Sequence, residues 1–315
     1  MGPVELLHMS VFSQSFSPCS RFLAAGNNYG EIAIFSLCSA LSPEATESSQ
    51  RPILTFKGIT GLSRREEETA VPVCACVPVC LCACVPVCLL SLSLPGRSSL
   101  EIPEINAMVI NPRDNSLLVG GGDNNIHIMD LESGAFKMVM QGHTDYIHCL
   151  SLREREGEVL SGGEDGSVRV WDPRSGSSVH CIEVYKYEDC ARPQYGKWIS
   201  CLTTDSDWML CGGGPSLSLW HLRSITPTTV FPLSGCQRDA AFYQDLILSV
   251  GDSAFLSHCQ LNGEPRAHIP CTPQSLYTLG LNTRSSEHRV LTVGGSSGQI
   301  DVFTNFSYRA FSLSF

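Results

Sequence analysis

Four side chains in one short stretch are of the types that acid–base chemistry uses: His143, Asp145, His148 and Asp165. A histidine beside a carboxylate can pass a proton near neutral pH. Two glycine runs, Gly120-Gly121-Gly122 and Gly212-Gly213-Gly214, have the small residues that let backbone close on a phosphate. Cys74-Ala75-Cys76 and Cys82-Ala83-Cys84 could offer thiolates to a metal. None of these patterns is completed. The glycine runs neither open a helix nor precede a Lys-Ser/Thr pair, so they read as strand-end turns. The cysteine pairs lack C-x₂-C spacing and a nearby histidine. The histidines and aspartates fall at turns or at repeat positions. The reading is of a chain that is not an enzyme, with no catalytic residue, no cofactor and no metal.

The elements that hold these residues repeat. One phrase occurs six times: an apolar strand, a Gly pair or Gly-rich turn, a second alternating strand and an aromatic or apolar end. The copies run from Phe22 to Phe35, Leu117 to Met129, Val159 to Trp171, Met209 to Trp220, Leu246 to Cys259 and Val290 to Phe303. Their ends lie 94, 42, 49, 39 and 44 residues apart, and the first gap is two periods. A period of ~40–45 residues with four strands is that of a β-propeller blade. The spacing predicts an all-β propeller on a seven-blade plan, with six recognisable blades and the second disrupted.

The third copy, with the residues before it, reads Gln141-Gly142-His143 to Leu150 and then Val159 to Asp172. It resembles the WD40 repeat. The resemblance implies that His143, Ser161, Asp165 and Trp171 form a hydrogen-bonded chain inside the blade. That chain would satisfy a buried indole and imidazole and staple the strands together. Asp165-Gly166 is a hairpin signal. The copy ending at Trp220 keeps the indole and loses the aspartate, while those ending at Phe35 and Phe303 replace the Trp. Packing, more than polar stapling, is expected to hold those blades.

One propeller consumes all 315 residues and leaves no room for a catalytic domain. Apolar content of 43% and charged content of 17% describe a well-buried chain. Net charge is −10, with no Lys/Arg run, which argues against a surface that tracks phosphates. The start, Met1-Gly2-Pro3-Val4-Glu5, lacks the pattern of a signal peptide or a myristoylation site. Ten of the 16 cysteines are scattered, several inside strand patterns (Cys149, Cys201, Cys211, Cys259). They read as buried thiols in a reducing compartment.

Residues 58–98 break the pattern and divide the chain into 1–57, the first blade, 58–98, a low-complexity insert, and 99–315, the remaining blades. Cys74 to Leu81 is repeated without change as Cys82 to Leu89. Cys, Val, Ala, Pro and Leu are what TG-rich simple-sequence DNA encodes, so the segment reads as intron or microsatellite sequence in the frame and is expected to be disordered. A membrane helix, a metal site and a genuine blade are the alternatives. Pro72, Pro78 and Pro86 oppose the first, and the lack of a Gly turn and an aromatic strand end opposes the last. A ring that loses one blade leaves its neighbours' faces unpaired, so lower stability than in an uninterrupted relative is expected.

Further stretches carry a narrower resemblance: Phe12 to Cys19, Phe22 to Leu37, Gly142 to Leu150, Asp205 to Pro215, Phe242 to Ser249 and Tyr308 to Phe315. Together they resemble the sixth-subunit family of the THO complex, over about residues 8–57 and 99–315. Across 58–98 the family has an ordinary blade. The resemblance implies a non-catalytic scaffold in the nucleus, in nuclear speckles, supporting THO/TREX assembly and mRNA processing, splicing and export. It implies other THO complex subunits as direct partners, and mRNA export factors and an RNA helicase as indirect ones. RNA contact is then mainly indirect, with no DNA and no membrane.

Propeller loops are the surfaces where partners bind. The segment from Glu183 to Trp198 holds Tyr185, Tyr187, Arg192, Tyr195 and Trp198, types enriched at binding hot spots. Trp198 packing under its own loop is the plainer reading. A rival role rests on Trp171-Asp172-Pro173-Arg174, which resembles the WDxR element of WD40 receptors that dock on the linker protein of a cullin-type ubiquitin ligase. The last blade supplies its own outer strand within Tyr308 to Phe315, so closure needs no strand donated by the N-terminus.

Overall fold

The computed structural model describes residues 9–57 and 105–315. The expectations placed on residues 58–98 lie outside the described residues. Each copy of the repeated phrase becomes the middle hairpin of a four-stranded antiparallel sheet. The first sheet is β1 (Val11–Phe16), β2 (Phe22–Asn27), β3 (Glu31–Ser36) and β4 (Leu54–Lys57). The second is β5 (Ile105–Asn111), β6 (Ser116–Gly121), β7 (Asn125–Asp130) and β8 (Phe136–Gln141). The third is β9 (Ile147–Arg153), β10 (Glu158–Gly163), β11 (Ser167–Asp172) and β12 (Ser177–Glu183). The fourth is β13 (Ile199–Asp205), β14 (Trp208–Gly213), β15 (Ser218–His221) and β16 (Thr226–Val230). The fifth is β17 (Gln237–Tyr243), β18 (Leu246–Gly251), β19 (Phe255–Gln260) and β20 (Pro265–Pro270). The sixth is β21 (Leu276–Asn282), β22 (Val290–Gly295), β23 (Ser297–Phe303) and β24 (Phe311–Ser314).

Hydrogen bonding within each sheet follows chain order. The first strands pack in succession, β5 on β9, β9 on β13, β13 on β17, β17 on β21 and β21 on β1, around a central channel. The molecule is an all-β propeller with six described blades. The sixth sheet is completed by its own β24, and the ring closes as β1 packs on β21.

Alternation along each second strand explains the joints. Neighbouring residues of a strand point to opposite faces, so Val159 packs toward the second sheet while Leu160 packs toward the fourth. Both are fully buried. The glycine pair has two separate jobs. A Cβ on Gly162 would lie 2.6 Å from Ile199 Cγ2 of the next sheet, and one on Gly163 would lie 2.8 Å from the carbonyl oxygen of Tyr146, just before its own sheet's first strand. The first glycine therefore lets two sheets approach, and the second lets a turn close over its own inner strand. Gly120 against Ile147 and Gly294 against Val11 repeat the first contact. The closing joint is thus built like the internal ones.

The first and second sheets are not joined this way. No packing of comparable extent links β1 or β2 to β5 among the described residues. Instead each sheet carries a small apolar cluster of its own, Ala24, Ile32 and Ile34 on the first and Met108, Leu117 and Val119 on the second. These residues lie on the strand faces turned away from the joints with the sixth and third sheets.

Polar stapling is more general than the sequence suggests. In the sixth sheet, whose repeat copy ends at Phe303, fully buried Asp301 accepts hydrogen bonds from Thr272 N (2.6 Å), Thr272 Oγ1 (2.8 Å) and Ser312 Oγ (2.6 Å). In the first, Asn27 Nδ2 donates to Glu31 Oε2 at 3.0 Å in a buried pair. Polar bonds add to the packing of these blades. Leu41 to Gln50 contains a short 3-10 turn at Glu47–Gln50 and is mostly exposed.

The ten described cysteines are free, and Cys201, Cys211 and Cys259 are buried while Cys149 is half-buried. Burial pushes the thiols of Cys211 and Cys259 up to about 12 and about 11, which makes them unreactive packing residues. No described helix is long and apolar enough to cross a membrane.

Replacing Gly162 with alanine forces a methyl group between two sheets, 2.6 Å from Ile199 and 2.7 Å from Cys149 Sγ. Overpacking of this kind costs about 1–3 kcal/mol. The expected result is a lower urea midpoint at unchanged m-value; an unchanged midpoint would show that this joint is loose.

Candidate protein-interaction face

The best repeat copy folds into a closed polar chain. Trp171 Nε1 donates to Ser161 Oγ at 2.8 Å, Ser161 Oγ lies 2.6 Å from His143 Nε2, and His143 Nδ1 lies 2.8 Å from Asp165 Oδ2. An indole N–H can only donate and a carboxylate can only accept. That order puts the imidazole hydrogen on Nδ1 and turns the Ser161 hydroxyl toward Nε2. Asp165 also accepts from Thr144 N, Ser167 N and Ser167 Oγ. Desolvation works to raise its pKa, yet the His143 bond and the Ser167 donors hold it well below the usual carboxylate range. All of its partners are internal, so the group is structural rather than catalytic in geometry.

Other sheets solve the same problem differently. In the fourth, Trp220 Nε1 donates to Ser218 Oγ at 2.8 Å, two residues back on its own strand. In the second, Asp123 pairs with His127 on the adjacent strand at 2.7 Å.

The link between β12 and β13 runs over one rim of the ring, on the face that carries the hairpin turns of the repeated phrase. Two short 3-10 turns, Val184–Lys186 and Pro193–Tyr195, shape it. Arg192 fixes it. Its guanidinium donates to the carbonyl oxygens of Gly213 (3.0 Å), Gly214 (3.0 Å), Pro215 (3.0 Å) and Gly235 (2.8 Å), with a longer bond to Leu233 (3.4 Å). These bonds hold the loop against the two neighbouring segments. Trp198 Nε1 donates to Tyr195 O at 2.9 Å and its ring lies 4.8 Å below the Arg238 guanidinium. It does pack under its own loop, and it also lines the channel mouth.

The tyrosines differ from one another. Tyr187 stands edge-on to buried Trp220 at 4.8 Å, and Tyr185 donates to Glu183 Oε1 at 3.0 Å. Tyr195 is exposed, with Arg192 stacked on it at 4.8 Å. Phe12, Tyr29, Tyr146 and Phe255, also exposed, share this face with Tyr187 and Tyr195. On the opposite face the exposed aromatic residues among those described are Trp208 and Tyr308. Arg174 is on that opposite face too. Its side chain is 88% exposed and bonds Asp172 at 3.1 Å, while Trp171 is fully buried.

Sequence reading passes over Asp239 in the channel wall. Its carboxylate accepts from Ala240 N and from Leu279 N of the next sheet, both at 2.8 Å. Part of its surface is accessible, but it opens into the narrow channel mouth. Desolvation therefore dominates and pushes its pKa up to about 7, against the two backbone bonds. The described residues contain no cluster of three or more metal-ligating side chains.

Two measurements check this account. Ser161→Ala leaves an indole N–H and an imidazole nitrogen without partners and is expected to cost about 2–4 kcal/mol in urea unfolding. Ser218→Ala strands one indole N–H and is expected to cost about 1–2 kcal/mol. Asp239 sets a pH dependence. Its folded pKa lies above the ordinary 3.8, so from about pH 4 to 7 the native state keeps a proton that the unfolded chain has lost. Its contribution makes stability fall as pH rises through that window, by at most about 1.4 kcal/mol per pH unit, and level off above it. Asp239→Asn is expected to flatten that slope in urea midpoints taken at successive pH values.

Comparison with known proteins places the geometry in a family. A family model described as nucleolar protein 10-like, N-terminal domain, a β-propeller, matches residues 97–231. The chain is 66% identical to the THO complex subunit 6 homolog of Danio rerio over all of both chains. It is 53% identical to THO complex subunit 6 of Homo sapiens, over 99% of this chain and 94% of the human protein. With THO complex subunit 6 of Drosophila melanogaster the identity is 33%, over 95% of this chain and 87% of that protein. On identity of that extent, carried by chains aligned almost end to end, this propeller belongs to the THO complex subunit 6 family.

Proposed function

We propose that this chain is a non-catalytic scaffold of the THO/TREX complex, joining other THO subunits in the nucleus during mRNA processing, splicing and export. The observation that carries the reading is the end-to-end match to THO complex subunit 6. The gathering of exposed aromatic residues on one rigid face supports it. A preorganised loop loses little entropy on binding, and aromatic residues are the side chains that dominate protein interfaces. The acidic balance of −10 favours RNA contact through partners rather than directly. Export factors and the RNA helicase are then reached through those partners, and nuclear speckles are the expected location.

The ligase-adaptor reading uses the other face, because exposed Arg174 lies there. Co-purification with tagged full-length protein separates the two. Tyr195→Ala is expected to cut recovery of other THO subunits; a hot-spot aromatic is worth about 2 kcal/mol, roughly 30-fold in affinity. Arg174→Ala is expected to leave that recovery unchanged. Recovery of a cullin linker protein that depends on Arg174, with THO subunits absent, would replace the scaffold reading with the adaptor one.

A further inference from the structure

Arg289 ends the turn between β21 and β22, on the face opposite the rim aromatics. Its seat is fixed at two levels. Buried Asn282, at the other end of the turn, donates from Nδ2 to His288 O at 2.8 Å and to Ser20 O of the first sheet at 3.1 Å. The backbone beside Arg289 is thereby tied down across the closing joint. Its side chain rests on two rings. Tyr243 of the fifth sheet and Phe306 of the β23–β24 turn meet edge to face, with centroids 4.7 Å apart and planes at 70°. The exposed guanidinium lies in the corner they make, 5.3 Å from the Tyr243 centroid and 5.4 Å from that of Phe306. Phe306 takes this place at φ 63°, a left-handed conformation that bulky residues rarely adopt.

Rings occupy the face of a guanidinium and leave its N–H edge to other groups. The two other arginines stacked on rings have spent that edge, Arg192 on backbone carbonyls and Arg238 on Asp252. Arg289 has no hydrogen bond and no ion pair among the described residues, and Glu287 on its own turn and Asp245 near Tyr243 in the chain do not pair with it. A planar fork already held in place matches a carboxylate through two parallel bonds. One cation flanked by turns that carry acids suits a singly charged group better than a phosphate of about two charges. Two residues beyond Phe306, Tyr308 is 59% exposed, and Arg and Tyr are the side chains that anchor interfaces. We propose that Arg289 binds the carboxylate of a glutamate or aspartate on a partner protein, with Tyr308 packing on an apolar neighbour of that acid. This deepens the scaffold reading by giving the second face a contact of stated chemistry. Its test uses the full chain alone, so failure of the THO assignment would not decide it.

The probe is the blocked tripeptide acetyl-Leu-Glu-Leu-amide, titrated against isotope-labelled full-length protein by NMR. The readout is the Nε–H signal of Arg289, assigned by its loss in Arg289→Lys. The same tripeptide with glutamine or phosphoserine at its centre is the control. Glutamine keeps the shape and loses the charge; phosphoserine replaces the carboxylate by a phosphate. The expected result is a saturable shift with the glutamate peptide, none with the glutamine peptide, and no tighter binding of the phosphoserine peptide. Arg289→Lys keeps the charge and loses the fork, and is expected to weaken binding, read from the peptide's own signals, by about tenfold. Tyr308→Ala, at an exposed position, is expected to weaken it about threefold. Arg284→Gln removes a charge from the same turn without touching the ring seat and is expected to leave binding unchanged. Circular dichroism and gel filtration of the variants separate lost binding from lost folding. Absence of a saturable shift, equal binding of the glutamine peptide, tighter binding of the phosphoserine peptide, or equal effects of Arg289→Lys and Arg284→Gln would overturn the proposal.

Discussion

No sheet of this molecule can bury both of its faces by itself. Each second strand is apolar on both sides, so each sheet is stable only between two others. That constraint explains the most visible mark in the sequence. At three joints the glycine one place before the strand end meets a β-branched residue that opens the next first strand: Gly120 on Ile147, Gly162 on Ile199 and Gly294 on Val11. A side chain there would hold the sheets apart and open the core. The repeat is therefore less a record of each blade's own needs than of what its neighbour requires.

Polar staples come second in this hierarchy and vary freely. One sheet uses the full chain from Trp171 to Asp165, another a serine beside Trp220, another a buried aspartate fed by a loop threonine. The chemistry is constant: a buried donor or charge must be matched. Which residues supply the match is open, provided the distance closes. This freedom explains how copies that look degenerate still occupy ordered sheets.

The hairpins were readable because period and turn chemistry are local. Alternation, a Gly pair and Asp165-Gly166 lie within a dozen residues of each other. The His143 chain was readable through its resemblance to a repeat, although His143 lies 18 and 22 residues from its partners Ser161 and Asp165. Asp301 was not, since Thr272 and Ser312 reach it from 29 and 11 residues away and neither position carries a mark in the phrase. Asp239 escaped for a similar reason. Its partner Leu279 is 40 residues on, and its chemistry comes from the channel formed around it rather than from its own strand. Arg192 was singled out for its type, but its type did not reveal its use. Only the approach of five carbonyl groups from two neighbouring segments shows that the guanidinium is a clamp.

That clamp has a consequence for any binding at this rim. A guanidinium left exposed would add charge to the rim and would have to be ordered when a partner arrives. Bound to backbone instead, it has met that ordering cost during folding, and Tyr195 and Trp198 are presented in fixed positions. The same loop borders the channel mouth through Trp198. The opposite face offers a different chemistry, with an exposed Arg174 tied to Asp172. A ring with unlike faces can hold two partners without their competing, and the joints between sheets fix the distance between them.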